Sequence, residues 1–253
     1  MNVSGERKRL QAYYEHNPLM VSSPFGGVDR INGVFVQEVF ERLAIPVAGR
    51  RVLDVGCGRG LLHKPLTAMG GVYTGMDFVR PAEGGPSLLG DAQRLPFQDG
   101  AFDGVCCVDA FEHLPEMAAA ACEFRRVLRA GGWAFLSAPN YGNVAGLVKW
   151  ACETVGWYEA NTWAPFRNWQ PQELEHPLTA GNVRRLFRDA GFARQRRVGH
   201  AAEAVLGLFP WVEHKRMPEA VKFRLQRLSA ALGPALTTAW PGASLHLFWR
   251  FDV

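Results

Sequence analysis

Apolar positions along the chain switch period several times. Residues 31–44 place Ile31, Val34, Phe35, Val39, Phe40 and Leu43 at helical spacing. Gly49 and Arg50 then lead into a short β-branched run, Arg51 to Val55, that ends in glycine and reads as a buried strand entering a tight turn. From there strand-like and helix-like segments alternate. Leu61–Met69 predicts a helix closed by Gly70 and Gly71, Val72–Met76 a second strand, Ser87–Leu89 a third and Phe102–Val108 a fourth. Glu116–Leu128 predicts a helix closed by Gly131 and Gly132, and Trp133–Ser137 a fifth strand stopped by Pro139. Further on, Asn182–Ala190 reads as a helix, Ala193–Val198 as a sixth strand, 201–232 as helical, and Ser244–Phe251 as a final strand.

Such alternation predicts an α/β fold, a doubly wound, Rossmann-like parallel sheet covered by helices. Right-handed crossovers bring the carboxyl ends of the strands to one edge, where ligands bind near the point at which strand order reverses. Asp54, Asp77, Asp91 and Asp109 all fall at strand ends, more acids there than a fold requires. One domain over 1–253 accommodates the pattern. It carries an N-terminal helical lead-in at 1–44, an aromatic cap insertion at 141–178 and a second helical insertion at 201–240.

Composition narrows this modestly. The chain is 48% hydrophobic and 21% charged over 253 residues, ordinary for a globule with a sizeable core. No apolar stretch reaches the roughly 18 residues of a membrane span, and the polar start lacks a signal core, so a cytoplasmic protein without stable membrane insertion is expected. Five cysteines form no CxxC pair, and no His/Cys/Asp cluster has metal-ligand spacing, so no metal is expected. Eleven Lys and Arg against four Asp and Glu fall in 184–227, which reads as a solvated helical face before it reads as an anion-binding surface.

Gly56, Gly58 and Gly60 follow a strand and precede a helix. Glycine tolerates the left-handed backbone of a tight turn and admits a ligand close to the main chain. Asp77, 23 residues after Asp54 at the end of the next strand, can accept both hydroxyls of a ribose. These features alone fit any nucleotide-like ligand. The stretch Val52-Leu53-Asp54-Val55-Gly56-Cys57-Gly58-Arg59-Gly60 resembles the first signature of the class I S-adenosylmethionine (SAM)-dependent methyltransferases. Gly90–Phe97, Phe102-Asp103, Phe111-Glu112-His113-Leu114 and Leu128–Gly132 are similar to later signatures, in the order of the ubiquinone and menaquinone biosynthesis branch. The resemblance covers about 45–140 well and 179–253 in outline. A dinucleotide loop is usually GxGxxG; here the third glycine comes one residue early.

The resemblance implies a role for each matched position. The backbone of Gly56, Cys57 and Gly58 approaches the methionyl part of SAM, Gly60 completes the loop, and Asp54 organises that loop and the cofactor ammonium. Asp77 holds the ribose diol and Phe78 lies on the adenine face. Asp91 with Ala92 reads the adenine amino edge, and Val108, Asp109 and Ala110 line the methionyl side. It also implies a seven-stranded sheet whose last strand runs antiparallel, and S-adenosyl-L-homocysteine (SAH) as product.

SAM brings an activated methyl, so positioning supplies most of the catalysis, about 7–11 kcal/mol. A base is needed only for an acceptor that arrives protonated, and His113 and His176 are the candidates. Residues 141–178 hold four of the eight tryptophans, and Tyr141, Trp157, Trp163 and Trp169 are expected to form aromatic acceptor walls over the methyl. Tyr14, with Tyr13 and His16, is expected to close the opposite side. The expected activity is O- or C-methylation of an aromatic, quinone-like, polyketide or isoprenoid small molecule by a monomer or homodimer. A nucleic-acid methyltransferase and a non-catalytic SAM-binding partner are the alternatives; no Asp/Asn-Pro-Pro-Tyr motif follows the fourth strand and no RNA-binding module is attached, so no nucleic-acid partner is expected.

Overall fold

A computed structural model describes residues 3–16, 33–79, 87–157, 174–210 and 218–253. Seven strands form one sheet: β1 (Arg51–Val55), β2 (Val72–Asp77), β3 (Ser87–Leu89), β4 (Phe102–Val108), β5 (Leu128–Pro139), β6 (Arg194–Gly199) and β7 (His246–Asp252). Their order is β3-β2-β1-β4-β5-β7-β6. Every neighbouring pair is parallel except those of β7, which runs antiparallel between β5 and β6. Strand order therefore reverses between β1 and β4, and in a doubly wound sheet that is the crevice where ligands bind.

Strand periodicity sorts the core into two layers. Leu53, Val55, Val105, Cys107 and Leu136 point to one face, where they meet Phe124 and Val127 of α4 (Met117–Val127) and Val183 and Phe187 of α6 (Ala180–Asp189). Phe187 stacks on Phe251 of β7 with ring centroids 3.9 Å apart. Val52, Cys106, Trp133 and Phe135 point to the other face, against Val36, Phe40 and Leu43 in and just beyond α2 (Gly33–Arg42) and Leu66 of α3 (His63–Ala68). Gly104 is required here: a Cβ on it would lie 2.4 Å from the Trp133 ring. α1 (Val3–His16) precedes this layer in the chain.

A third cluster joins Tyr141 and Ala145 to Val205, Leu206, Leu225 and Leu245. It binds α5 (Val144–Thr154) to α7 (Glu219–Ala239). Asn143 caps α5 by accepting the Gly146 N–H at 2.7 Å, and Thr179 caps α6 in a reciprocal box with Asn182.

Several element expectations are corrected. The helix expected at 61–69 is only His63–Ala68, because the glycine loop continues as turns through Leu62. The helix expected over 201–232 is two 3-10 turns, Ala201–Glu203 and Leu206–Leu208, and then α7, which runs on to Ala239. Phe209, before Pro210, is extended at φ −99° and ψ 113°, as the residue before a proline prefers, and so ends the second turn. Within the cap insertion at 141–178, α5 occupies 144–154. β5 starts at Leu128 and ends at Pro139, longer than the expected Trp133–Ser137, because Leu128 pairs with Phe102 of β4 at one end and β7 pairs as far as Pro139 opposite His246 at the other. Among the described residues, no helix is long and apolar enough to cross a membrane.

Candidate active site

β1 ends in Asp54 and Val55 beside the crevice, and the chain turns there through Gly56, Gly58 and Gly60, all at positive φ. Gly56 is the position where no other residue fits: its φ is +72° and an added Cβ would sit 2.6 Å from the Ala110 Cβ behind β4. The loop is fastened to β2. Gly56 and Cys57 both donate to the Met76 carbonyl, at 2.9 and 3.1 Å, and Gly58 donates to Asp77 Oδ2 at 2.7 Å. These N–H groups were expected to approach a ligand; they already have partners. With α3 only six residues long and set back from the loop, the loop offers close backbone approach and no helix terminus.

Asp77 also accepts the Val79 N–H at its Oδ1, 3.2 Å away. An ionised carboxylate has about four acceptor directions, so capacity remains for a ribose hydroxyl. Burial pushes its pKa up, opposed by the hydrogen bonds from Gly58 and its neighbours. Asp54 is 2% exposed and accepts the Tyr73 hydroxyl at 2.9 Å. Burial raises its pKa to about 7, against the Tyr73 bond, and the nearby Asp77 adds to the rise. Burial likewise takes the Cys57 thiol to about 12, so it stays protonated.

Phe78 is half-buried beside Asp77, and Ala92 is buried. Asp91 Oδ1 accepts both the backbone N–H and the side-chain amide of Gln93, each at 2.9 Å. Asp109, at the end of β4, is exposed, adopts a left-handed φ of 47° and accepts the Ser137 hydroxyl at 2.6 Å. A non-glycine residue in that region is strained, and here it holds a carboxylate on the ligand edge. Ala110 lies half-buried against Gly56. Asp54, Asp77, Asp109 and Glu112 all act on the buried Cys107 thiol, so the structure gathers these acids around the end of β4.

Two residues without a prior assignment join them. Tyr73 holds Asp54, and Arg59 has a buried Nε with no partner among the described residues. The Arg59 Nε suits a carboxylate of the kind the methionyl end of SAM carries. Asp77 suits the ribose, and Gly56 suits close approach. The residues present fit SAM.

His113 and His176 meet. His113 Nδ1 lies 2.6 Å from the Leu174 carbonyl, the His176 N–H donates to the Glu112 carbonyl at 2.9 Å, and His176 Nε2 lies 3.1 Å from the Leu114 carbonyl. A carbonyl partner makes each of those ring nitrogens the protonated one. His113 then carries its lone pair on Nε2, 3.9 Å from Glu112 Oε1. Burial depresses its pKa to about 4, with the Leu174 bond and Asp109 opposing, so the ring is neutral near pH 7.

The aromatic walls are only partly realised. Tyr141 is 3% exposed and its hydroxyl donates to Glu175 Oε1 at 2.9 Å while accepting from Lys149 Nζ at 2.8 Å. It packs between α5 and α7, because its ring fills the third cluster and its hydroxyl is satisfied there. Trp157 is 75% exposed, a ring on the surface and no enclosed wall. Trp163, Trp169 and the Tyr14 side chain lie outside the described residues. Among the described residues, no group of three or more His, Cys, Asp or Glu is placed to hold a metal ion.

Comparison with known proteins accords with the sheet and the loop. Residues 53–136 match the family model described as a methyltransferase domain. The ubiquinone biosynthesis O-methyltransferase of Thiobacillus denitrificans is 32% identical over 134 residues, 47% of this chain and 56% of that protein. The match thus spans little more than half of that relative. A SAM-dependent methyltransferase from Archaeoglobus fulgidus superposes with a TM-score of 0.55 at 17% identity, covering 95% of this chain and 99% of that one. The Burkholderia thailandensis 1,6-didemethyltoxoflavin-N1-methyltransferase, solved with S-adenosylhomocysteine, gives 0.53 at 15% identity over 98% and 87%. At such identities the structural likeness is one of fold. In fold and signature sequence the chain is similar to the class I SAM-dependent methyltransferases, and residues 53–136 are the part that matches their domain. Over about half of its length it is distantly similar to the ubiquinone biosynthesis O-methyltransferases.

Proposed function

We propose that the protein transfers the methyl group of SAM to a small-molecule acceptor bearing an aromatic hydroxyl or an enol-type carbon, of aromatic, quinone-like, polyketide or isoprenoid class. The observation that carries this reading is the disposition of His113. It stands behind β4 on the ligand edge, its Nδ1–H fixed by the Leu174 carbonyl and its Nε2 left as the basic nitrogen.

The bound SAM supplies a sulfonium-activated methyl. Asp77 and Phe78 are assigned to its nucleoside, and Asp54, Gly56 and Arg59 to its methionyl end. With SAM bound, His113 Nε2 would take the acceptor's proton as the oxygen or carbon gains the methyl and SAH is left; the proton would end on the ring and then pass to solvent. His176 instead holds the turn after β4 through its Nε2–H, a positioning role.

The test is turnover of a panel of catechols and hydroquinones with SAM, read as SAH formed. His113→Gln should lose about 10²–10⁴-fold in kcat while SAH affinity stays unchanged. Full turnover in His113→Gln would remove it as the base, and absence of SAH from every phenolic acceptor would remove the acceptor class.

A further inference from the structure

The mechanism above leaves two buried acids unused. Glu112 lies on the 3-10 turn Phe111–His113 and Glu175 on the segment that returns beside it, joined by the His176 N–H to the Glu112 carbonyl at 2.9 Å. The two residues are 2% and 8% exposed. In each, Oε2 is buried and has no hydrogen-bond partner among the described residues. Buried carboxyl oxygens are nearly always satisfied, so two open ones on segments joined by that hydrogen bond, near enough for Glu175 to act on Glu112, call for an explanation.

Their surroundings say what is missing. Asp109, Glu175 and His246 act on Glu112; Lys149, Glu153 and His246 act on Glu175. Both cations are already engaged with other carboxylates. His246 Nδ1 contacts Glu203 Oε2 at 2.9 Å, and Lys149 pairs with Glu153 and donates to Tyr141. His113 beside them is neutral, and His176 Nε2 is turned to a carbonyl. Burial accordingly pushes Glu175 up to about 7 and Glu112 well above the usual carboxylate range. A neutral hydroxyl has one donor and could fill only one of the two oxygens. An ammonium has three donors and one positive charge.

We propose that Glu112 and Glu175 form an acceptor-side subsite for a protonated amine, whose N–H groups fill the two open Oε2 positions and whose charge pairs with the carboxyls as they ionise. This rests on the reading of the β4 edge as the acceptor site, and it narrows the acceptor to one carrying a basic nitrogen.

The test compares tyramine with tyrosol, which differ by ammonium against hydroxyl, on the full chain saturated with SAH. Calorimetry near neutral pH in two buffers of different ionisation enthalpy should show tyramine bound at least about tenfold more tightly, as charge-assisted bonds require. It should also show protons released as the carboxyls ionise. Glu112→Gln and Glu175→Gln should each erase most of that preference and the proton release, with SAH affinity unchanged. Equal binding of the two probes, binding of neither, or a preference that survives both substitutions would overturn the subsite. If one variant fails to fold by thermal melting, the other decides. Turnover of phenols without any amine preference would sink the subsite and spare the proposed function; amine preference without phenol turnover would do the reverse.

Discussion

Gly58 donates its N–H to Asp77 Oδ2 at 2.7 Å, so the loop after β1 and the end of β2 are one unit. The residue assigned to the ribose therefore also holds the loop assigned to the methionyl end. Asp77→Ala removes both functions. We expect SAM and SAH affinity to fall by at least about 1–3 kcal/mol, the cost of an unmade hydrogen bond to a charged acceptor. Asp77→Asn keeps an acceptor for Gly58 and should lose less. Calorimetric titration with SAH checks both; wild-type affinity in Asp77→Ala would refute the placement of the cofactor.

Gly56 and Gly58 separate two effects that a sequence cannot. Both have positive φ, but only Gly56 also faces a Cβ, that of Ala110 at 2.6 Å. Gly58→Ala should cost about 1–2 kcal/mol of stability from backbone strain alone. Gly56→Ala should cost that and a further ~1–3 kcal/mol from overpacking against the β4 end. Thermal or urea unfolding of the two variants gives the order; Gly58→Ala as the more damaging change would contradict it.

The sheet was legible in the chain because its signals are local. Short apolar runs ending in Gly or Asp mark β1, β2 and β4, and Asp54, Asp77 and Asp109 lie at the carboxyl ends of those strands. What was not legible depends on contacts between distant segments. Tyr141 looked like an acceptor wall by its position after β5; its burial is decided by Leu206 and Leu225, some sixty to eighty residues away. The partners of the loop N–H groups, and the pairing of Leu174 and His176 with the turn at Glu112, are likewise set by tertiary contacts. Arg59 was passed over because an arginine in a glycine loop reads as a solvated side chain until its Nε is found buried.

His113 makes a prediction about pH. With its pKa held near 4 by burial, the neutral, basic form persists well below the ordinary imidazole value of 6.5. The acidic limb of kcat/KM for a phenolic acceptor should therefore fall toward pH 4 and not near 6.5. An inflection close to 6.5 that disappears in His113→Gln would contradict this environment. The same shift acts on stability. The group's contribution is full above 6.5 and is lost as pH falls toward 4, where the unfolded chain binds the proton first.

His246 should behave in the opposite sense. Burial alone would lower its pKa, but Glu203 accepts from both its Nδ1–H and its backbone N–H and carries the pKa up to about 10. The folded protein thus holds a proton that the unfolded chain gives up near 6.5. Stability from this pair is fully present below 6.5 and is lost as pH rises to about 10, with a slope of at most about 1.4 kcal/mol per pH unit. Glu203, held below the usual carboxylate range, contributes above its ordinary value and loses that contribution in acid. The pair ties the start of β7 to the turn before α7, so its loss should be felt globally. In urea unfolding, His246→Gln should be less stable than wild type near neutral pH, and the gap should close on the alkaline side. A gap that stays constant between pH 6.5 and 10 would show that His246 is not an imidazolium in the folded protein.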